Sequence, residues 1–212
     1  MERDASAAVR RAVLPYGDRG LLVEVADLAA VAGIRAALER APLPGQLDLV
    51  PAARTLLVVL DRAPAETDVA RLRRLEPADS VAGSDAGTVE LGVVFDGPDL
   101  AEVAGLTRRS VAALVEALIT AELTVAFGGF APGFGYLAGL PEELHTPRRP
   151  TPRTRVPAGA VGLAGPFAGV YPRASPGGWQ LVGRTDVVLF DAGREPPALL
   201  TPGTRVRFRE VR

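Results

Sequence analysis

The chain has 212 residues, 48% of them apolar and 23% charged, with a net charge of -1, enough to bury one large core or two small ones. That charge balance gives no general attraction to nucleic acid or anionic membrane, and no stretch approaches the roughly 18 apolar residues of a membrane span. All 24 basic residues are Arg, Cys is absent and His145 is the single His, so Lys or thiolate chemistry and metal sites needing two His are excluded.

The N-terminal segment M-E-R-D-A-S-A-A-V-R-R has no apolar leader core, and with no Cys a cytoplasmic setting is expected. Ala12–Tyr16 and Gly20–Ala26 read as strands around the turn Gly17-Asp18-Arg19. Asp27 is placed to cap a helix to about Arg40, with Leu28, Val31, Ile34, Ala37 and Leu38 on one face. Gln46–Val50 and Thr55–Leu60 follow as strands, and Thr67 is the expected cap of a second helix carrying Val69, Leu72 and Leu75. This order suggests a ferredoxin-like or related sandwich with both helices on one face.

The polar, Gly-bearing stretch from Glu76 to Gly87 is the expected boundary, dividing the chain into residues 1–83 and 84–212. Beyond it, Thr88–Phe95 reads as a strand, Asp99–Ala104 as a short helix, and Thr107 as the start of a helix to about Thr120. Later strands are expected at Leu123–Phe127, Ala160–Ala164, Gly169–Tyr171, Trp179–Val182, Val187–Asp191 and Thr204–Arg209. Short strands joined by Gly/Pro turns predict a closed or nearly closed β-barrel, so the chain is α+β: a small N-terminal α/β sandwich, then a barrel.

Residues 127–178 hold 11 Gly and 9 Pro, interrupted by aromatics, so this region bends at many set positions. In Gly128–Leu140, Phe130, Phe134 and Tyr136 stand among five Gly and Pro132. The segment reads either as a pocket wall with backbone amides aimed at a ligand oxygen, or as a loop whose aromatics plug a barrel end. From Leu144 to Thr185 there are six Arg and no acid. Arg148, Arg149, Arg153 and Arg155 sit among four Pro, and extension at these Pro makes Arg153 and Arg155 share a face. This run either binds a carboxylate, a phosphate or a partner's acid, or pairs with acids of the same chain. Nucleic acid is disfavoured because the run is short, stiff and free of Lys. Ser175 opens the turn Ser175-Pro176-Gly177-Gly178-Trp179; it reads as a turn stabiliser, a pocket-lining hydroxyl or a nucleophile beside the Gly amides. His145 reads as structural, and Glu142 and Glu143 as a solvated turn.

At Gly129–Leu140, Pro147–Val161 and Tyr171–Thr185 the chain resembles the KipI/PxpB family, also described as allophanate hydrolase subunit 1 and as the first half of a carboxyltransferase module. Tyr16-Gly17-Asp18, Leu21–Val25, Thr55–Val58 and Leu200–Phe208 add to the likeness, which covers nearly the whole chain. The departures are Leu118-Ile119-Thr120, where members often carry L-H-T; Ala53-Arg54-Thr55 in place of Y-R-S; and Ala160 in place of Ser.

The resemblance implies a small α/β domain followed by a cyclophilin-like β-barrel. It implies a subunit of a heteromeric, ATP-dependent 5-oxoprolinase, inactive alone, acting with a KipA/PxpC-type partner and a third, PxpA-type subunit. The complex would use ATP bound elsewhere than this chain, with no metal site here. The substrate would be a small carboxylate met by Arg148, Arg153, Arg155 and Arg184, with Gly129, Phe130, Pro132, Gly133, Phe134, Tyr136, Ser175, Gly177, Gly178 and Trp179 forming walls or a partner surface. No catalytic residue is assigned. Family alternatives are a urea-directed carboxyltransferase subunit and a regulatory inhibitor of a sensor histidine kinase.

Overall fold

A computed structural model describes residues 11–78 and 87–212. Most of the expected boundary stretch, residues 79–86, and most of the N-terminal segment, residues 1–10, lie outside the described residues. The chain separates into two compact units, Met1–Ala82 and Gly83–Arg212.

The first unit runs β1 (Ala12–Tyr16), β2 (Gly20–Glu24), α1 (Leu28–Arg40), β3 (Gln46–Pro51), β4 (Thr55–Leu60) and α2 (Glu66–Arg74). Its sheet has the order β1-β2-β4-β3, antiparallel throughout. A ferredoxin-like arrangement is thereby ruled out, because β1–β2 and β3–β4 are both direct hairpins and no strands run parallel. The related sandwich holds: alternate residues Val13, Leu21, Val23, Leu56, Val58 and Leu60 form one buried cluster with Val31, Ile34 and Leu38 of α1 and Leu72 of α2. Asp27 caps α1 by accepting the Ala30 N–H at 2.8 Å.

Thr67 does not cap α2. The helix begins one residue earlier, at Glu66, and the buried Asp68 carboxylate accepts the Ala65 N–H at 2.8 Å. Asp68 also takes both Arg62 nitrogens, at 2.7 and 3.0 Å. The Arg62 hydrogen bonds outweigh burial and hold this carboxyl below the usual carboxylate range, while the position before α2 is Ala65, which has no side-chain acceptor to cap it.

The second unit contains β5 (Thr88–Val93), α3 (Leu100–Leu106), α4 (Val111–Thr120), β6 (Leu123–Gly128), β7 (Gly135–Ala138), β8 (Arg153–Val156), β9 (Ala160–Ala164), β10 (Phe167–Val170), β11 (Ser175–Gly177), β12 (Gln180–Arg184) and β13 (Arg205–Glu210). Seven strands form a sheet of order β12-β9-β10-β7-β6-β13-β5, in which only β13 and β5 run parallel. Its two edges meet: Val94, just after β5, and Arg184 of β12 exchange N–H···O bonds of 2.9 Å each. The barrel is therefore nearly closed, and the α+β reading holds. Leu91, Val93, Leu123, Val125, Leu137, Val161, Leu163, Val182, Val206 and Phe208 fill its core with Leu114 and Leu118 of α4.

Two local expectations are corrected here. The longer helix starts at Ser110, whose Oγ accepts the Ala113 N–H at 3.2 Å. Thr107 instead ends α3, donating its hydroxyl to the Val103 carbonyl at 2.8 Å. Val187–Asp191 is not a strand; Phe190 makes a single bridge to Ala198. The Arg194 guanidinium gathers that loop by donating to the carbonyls of Leu189, at 3.3 Å, and Pro197, at 3.0 Å.

Candidate functional site

The β6–β7 connection presents the Gly-rich motif. Ala131 N–H donates to the Gly129 carbonyl at 2.6 Å, a tight three-residue turn that puts Phe130 at φ +64. Phe134 N–H then reaches the Ala131 carbonyl at 3.0 Å across Pro132 and Gly133. Gly133 has φ +83, so Pro then Gly supply the two central residues of a type II turn. A side chain on Gly133 would also collide with Phe190, whose Cβ lies 2.7 Å from the site of the missing Cβ.

The aromatics of this motif divide into packed rings and one exposed ring. Phe134 and Trp179 are buried, and their rings meet edge to face at 5.4 Å. Tyr136 stacks on Phe127 at 4.4 Å and meets Phe134 at 5.0 Å. Rather than plugging the barrel end, these rings form a second cluster with Tyr171, Val156 and Leu181 on the face of β9, β10 and β12 opposite the barrel core. Phe130, by contrast, is 56% exposed, with only its edge against Phe134 (5.3 Å) and Tyr171 (5.9 Å). A large apolar ring held outward by a left-handed backbone is a feature that stability alone does not favour.

The Arg run is not unopposed. Asp99, 50 residues or more away in sequence and 2% exposed, accepts Arg149 Nη1 at 2.8 Å and Arg153 Nη2 at 2.6 Å on one oxygen. Its other oxygen accepts the Leu181 N–H at 2.7 Å. Burial pushes the Asp99 carboxyl up, but the Arg153 hydrogen bond, the Leu181 amide and both positive charges together hold it below the usual range. Arg184 pairs with Asp96 at 3.0 Å on the surface. Arg148 and Arg155 are exposed and make no hydrogen bond or ion pair among the described residues. Of the four predicted Arg, two thus have acids of their own chain and two are available.

Ser175 and Gly177 lie on β11, which forms a two-stranded ribbon with β8 through the pairs Ser175↔Val156 and Gly177↔Arg153. Gly177 is required because a Cβ there would overlap the Tyr171 hydroxyl. Tyr171 is 2% exposed, and burial pushes its phenol up against the opposing Trp179 backbone amide and the Arg148 and Arg153 charges. Ser175 Oγ and Arg153 Nη1 are buried without a hydrogen-bond partner. Gly178 carries the loop closure, its carbonyl accepting the Arg149 N–H at 2.8 Å. His145 Nε2 lies 3.1 Å from the Leu140 carbonyl, and Glu143 pairs with Arg109 at 3.3 Å. A separate open recess of about 450 Å³ lies beside α4, lined by Arg109, Ala113, Glu116, Thr120, Pro141 and Glu143, and includes none of the predicted site residues.

Sequence reasoning missed Asp99 and Tyr171 as parts of this arrangement. Asp99 reads as the first residue of a short helix; it is in fact the residue before α3, and its side chain makes no capping bond and turns to the Arg pair instead. Nothing local marks that choice.

The family described as "Carboxyltransferase domain, subdomain C and D" matches residues 11–200, which spans both units. The chain belongs to this family. Within it, the KipI/PxpB type is shown by the relatives. Over 172 residues the chain is 45% identical to the 5-oxoprolinase B-type subunit of Escherichia coli O157:H7, covering 78% of each protein. The protein of the same name from Bacillus subtilis (strain 168) is 36% identical over 192 residues, covering 82% of this chain and 79% of the relative. Among solved structures, TTHA0988 superposes with a TM-score of 0.74 at 39% identity, covering 92% of this chain but 40% of the longer TTHA0988 chain. No helix among the described residues is long and apolar enough to cross a membrane.

Proposed function

We propose that this chain is the B-type component of a heteromeric, ATP-dependent 5-oxoprolinase-like hydrolase, which opens 5-oxoproline to glutamate. The observation that carries the reading is 36–45% identity to proteins named as the B-type subunit of 5-oxoprolinase. The site chemistry agrees with it. Substrate and product are both carboxylates, and Arg148 and Arg155 are exposed guanidinium groups without an acid of their own.

In this reading the chain binds and orients, and a second protein completes the cavity. Opening a lactam adds water across a resonance-stabilised C–N bond, which needs positioning and charge stabilisation of the carbonyl oxygen. A chain without Lys or Cys and with one His is poorly equipped to do this alone. The nucleotide site and the groups that activate water therefore belong to a KipA/PxpC-type partner and a PxpA-type subunit, in a cytoplasmic complex. Phe130 suits the partner surface, where an exposed aromatic ring contributes most when the contact buries it.

The test is reconstitution. ATP hydrolysis dependent on 5-oxoproline is expected only when this chain is mixed with both partners. Equal activity with the chain left out refutes the proposal.

A further inference from the structure

The β8–β11 ribbon has an inward face that carries Arg153 and Ser175 and packs against Tyr171. Side chains of paired residues in antiparallel strands share a face, so Arg153 projects to the side that a Gly177 side chain would occupy. That side is also where the Tyr171 hydroxyl lies, since it would overlap a Cβ on Gly177. Ser175 is two residues from Gly177, with exposed Pro176 between them, and so faces the same way.

Two of the three groups have unused donors. Arg153 commits Nη2 to Asp99, but its Nη1 is buried without a partner. Ser175 Oγ is likewise buried and unpartnered. The Tyr171 hydroxyl, against Gly177 on the same side, carries a proton of its own to donate. A buried donor with no acceptor is costly, and two on one strand-pair face call for a species rich in acceptor oxygen.

We propose that this face is a carboxylate subsite, in which Arg153 Nη1, Ser175 Oγ and the Tyr171 hydroxyl donate to the two oxygens of one small carboxylate. Asp99 is what prepares it: by neutralising one side of Arg153 it fixes the guanidinium, leaving the opposite edge for the ligand. The exposed Arg148, which has no acid of its own among the described residues, draws the anion in. The subsite rests on the preceding reading only for which carboxylate it takes.

The experiment is amide NMR of the full ¹⁵N-labelled chain titrated with L-5-oxoproline, with acetate, and with 2-pyrrolidinone, which keeps the lactam ring but lacks the carboxylate. Both carboxylates are expected to shift Arg153, Ser175, Gly177 and Gly178, and 2-pyrrolidinone to leave them unmoved. Ser175→Ala and Tyr171→Phe should each weaken 5-oxoproline by roughly tenfold or more, as expected for a hydrogen bond to a charged group. Ser175→Ala should not lower the melting temperature of the free chain, because the hydroxyl it removes has no partner there; a purely structural Ser would show the reverse. The subsite is overturned if neither carboxylate binds, if 2-pyrrolidinone binds as well, or if Ser175→Ala leaves affinity unchanged. Serine-sensitive acetate binding with no 5-oxoproline-dependent ATP hydrolysis in the reconstituted complex would keep the subsite and remove the 5-oxoprolinase reading. Complex activity without such binding would do the opposite.

Discussion

Replacing Asp99 with Asn tests the electrostatic design of the second unit, because it keeps the shape and removes the charge. In the native protein one carboxylate, 2% exposed, serves Arg149, Arg153 and the Leu181 N–H. An Asn can present one oxygen, so either the amide N–H of Leu181 or the two guanidinium groups face an NH₂. Leaving buried charges uncompensated costs about 3–5 kcal/mol. The Arg149 and Arg153 side chains are 29% and 23% exposed and hydrate in part, which favours the lower end, about 3 kcal/mol. At roughly 3 °C per kcal/mol for a chain of this size, the melting temperature should fall by about 9 °C.

The pH dependence gives a second reading of the same substitution. Asp99 is held below its ordinary value of 3.8, so its contribution is complete above that value and is lost as pH falls through its lower folded value. The gap between wild type and Asp99→Asn, followed by circular dichroism during heating, should be constant at neutral pH and narrow once the pH drops below about 4. An Asp99→Asn/Arg153→Met double variant should lose less than the sum of the single losses, since the two groups act on each other. A drop under about 3 °C, or a gap that stays constant into acid, would refute the reasoning.

Three further outcomes are expected. Gly169→Ala places a Cβ 2.8 Å from Phe134 Cζ and 3.0 Å from Trp179 Cζ3; it should cost about 1–3 kcal/mol in denaturant melts and reduce the near-ultraviolet dichroism of the aromatic cluster. Phe130→Gly relieves a positive φ worth about 1 kcal/mol and gives up two edge-to-face contacts of about 0.5–1.5 kcal/mol each, so chemical denaturation should show a loss of about 0–2 kcal/mol. Affinity for the partner subunit, read by calorimetry, should fall about tenfold or more in the same variant. Arg194→Ala frees several loop carbonyls, so hydrogen exchange of residues 187–198 should speed up by about tenfold or more while the barrel strands stay protected.

The parts of the fold legible from sequence are those decided within a few residues. Alternation in Thr55–Leu60 and the cap at Asp27 specify β4 and α1 because the strand face and the cap bond are local events. The misplaced caps have a local cause too: Thr67 and Thr107 carry suitable hydroxyls, but α2 is already under way at Glu66 and Ser110 stands at the extended position before α4. The apolar run Val187–Asp191 has strand composition, yet Arg194 engages its carbonyls and leaves one bridge where a ladder was expected. In the other direction, Ser-Pro-Gly has no tendency to be a strand, and β11 exists because β8 lies beside it.

The site was legible in its residue types and illegible in its charge balance, and the difference is one of distance along the chain. Six Arg with no acid between Leu144 and Thr185 is a correct count of a linear segment. Folding then brings Asp99 and Asp96 to three of those Arg through partners 50 to 88 residues away. The effect is selective rather than cancelling. Arg149 and Arg153 are fixed on the buried Asp99, whereas Arg148 and Arg155 keep their charge in solvent. A mobile anion would be attracted by the second pair and held by the remaining edge of the first, because a guanidinium already anchored on one side loses little freedom when it binds on the other. Adding charge without anchoring would strengthen attraction but not discrimination. If the site works as proposed, Arg148→Ala should therefore slow association of 5-oxoproline and make it less sensitive to salt, with little change in dissociation. Ser175→Ala should leave association alone and accelerate release. Stopped-flow or line-shape analysis separates the two, and equal effects of both variants on both rates would mean that attraction and grip are not divided in this way.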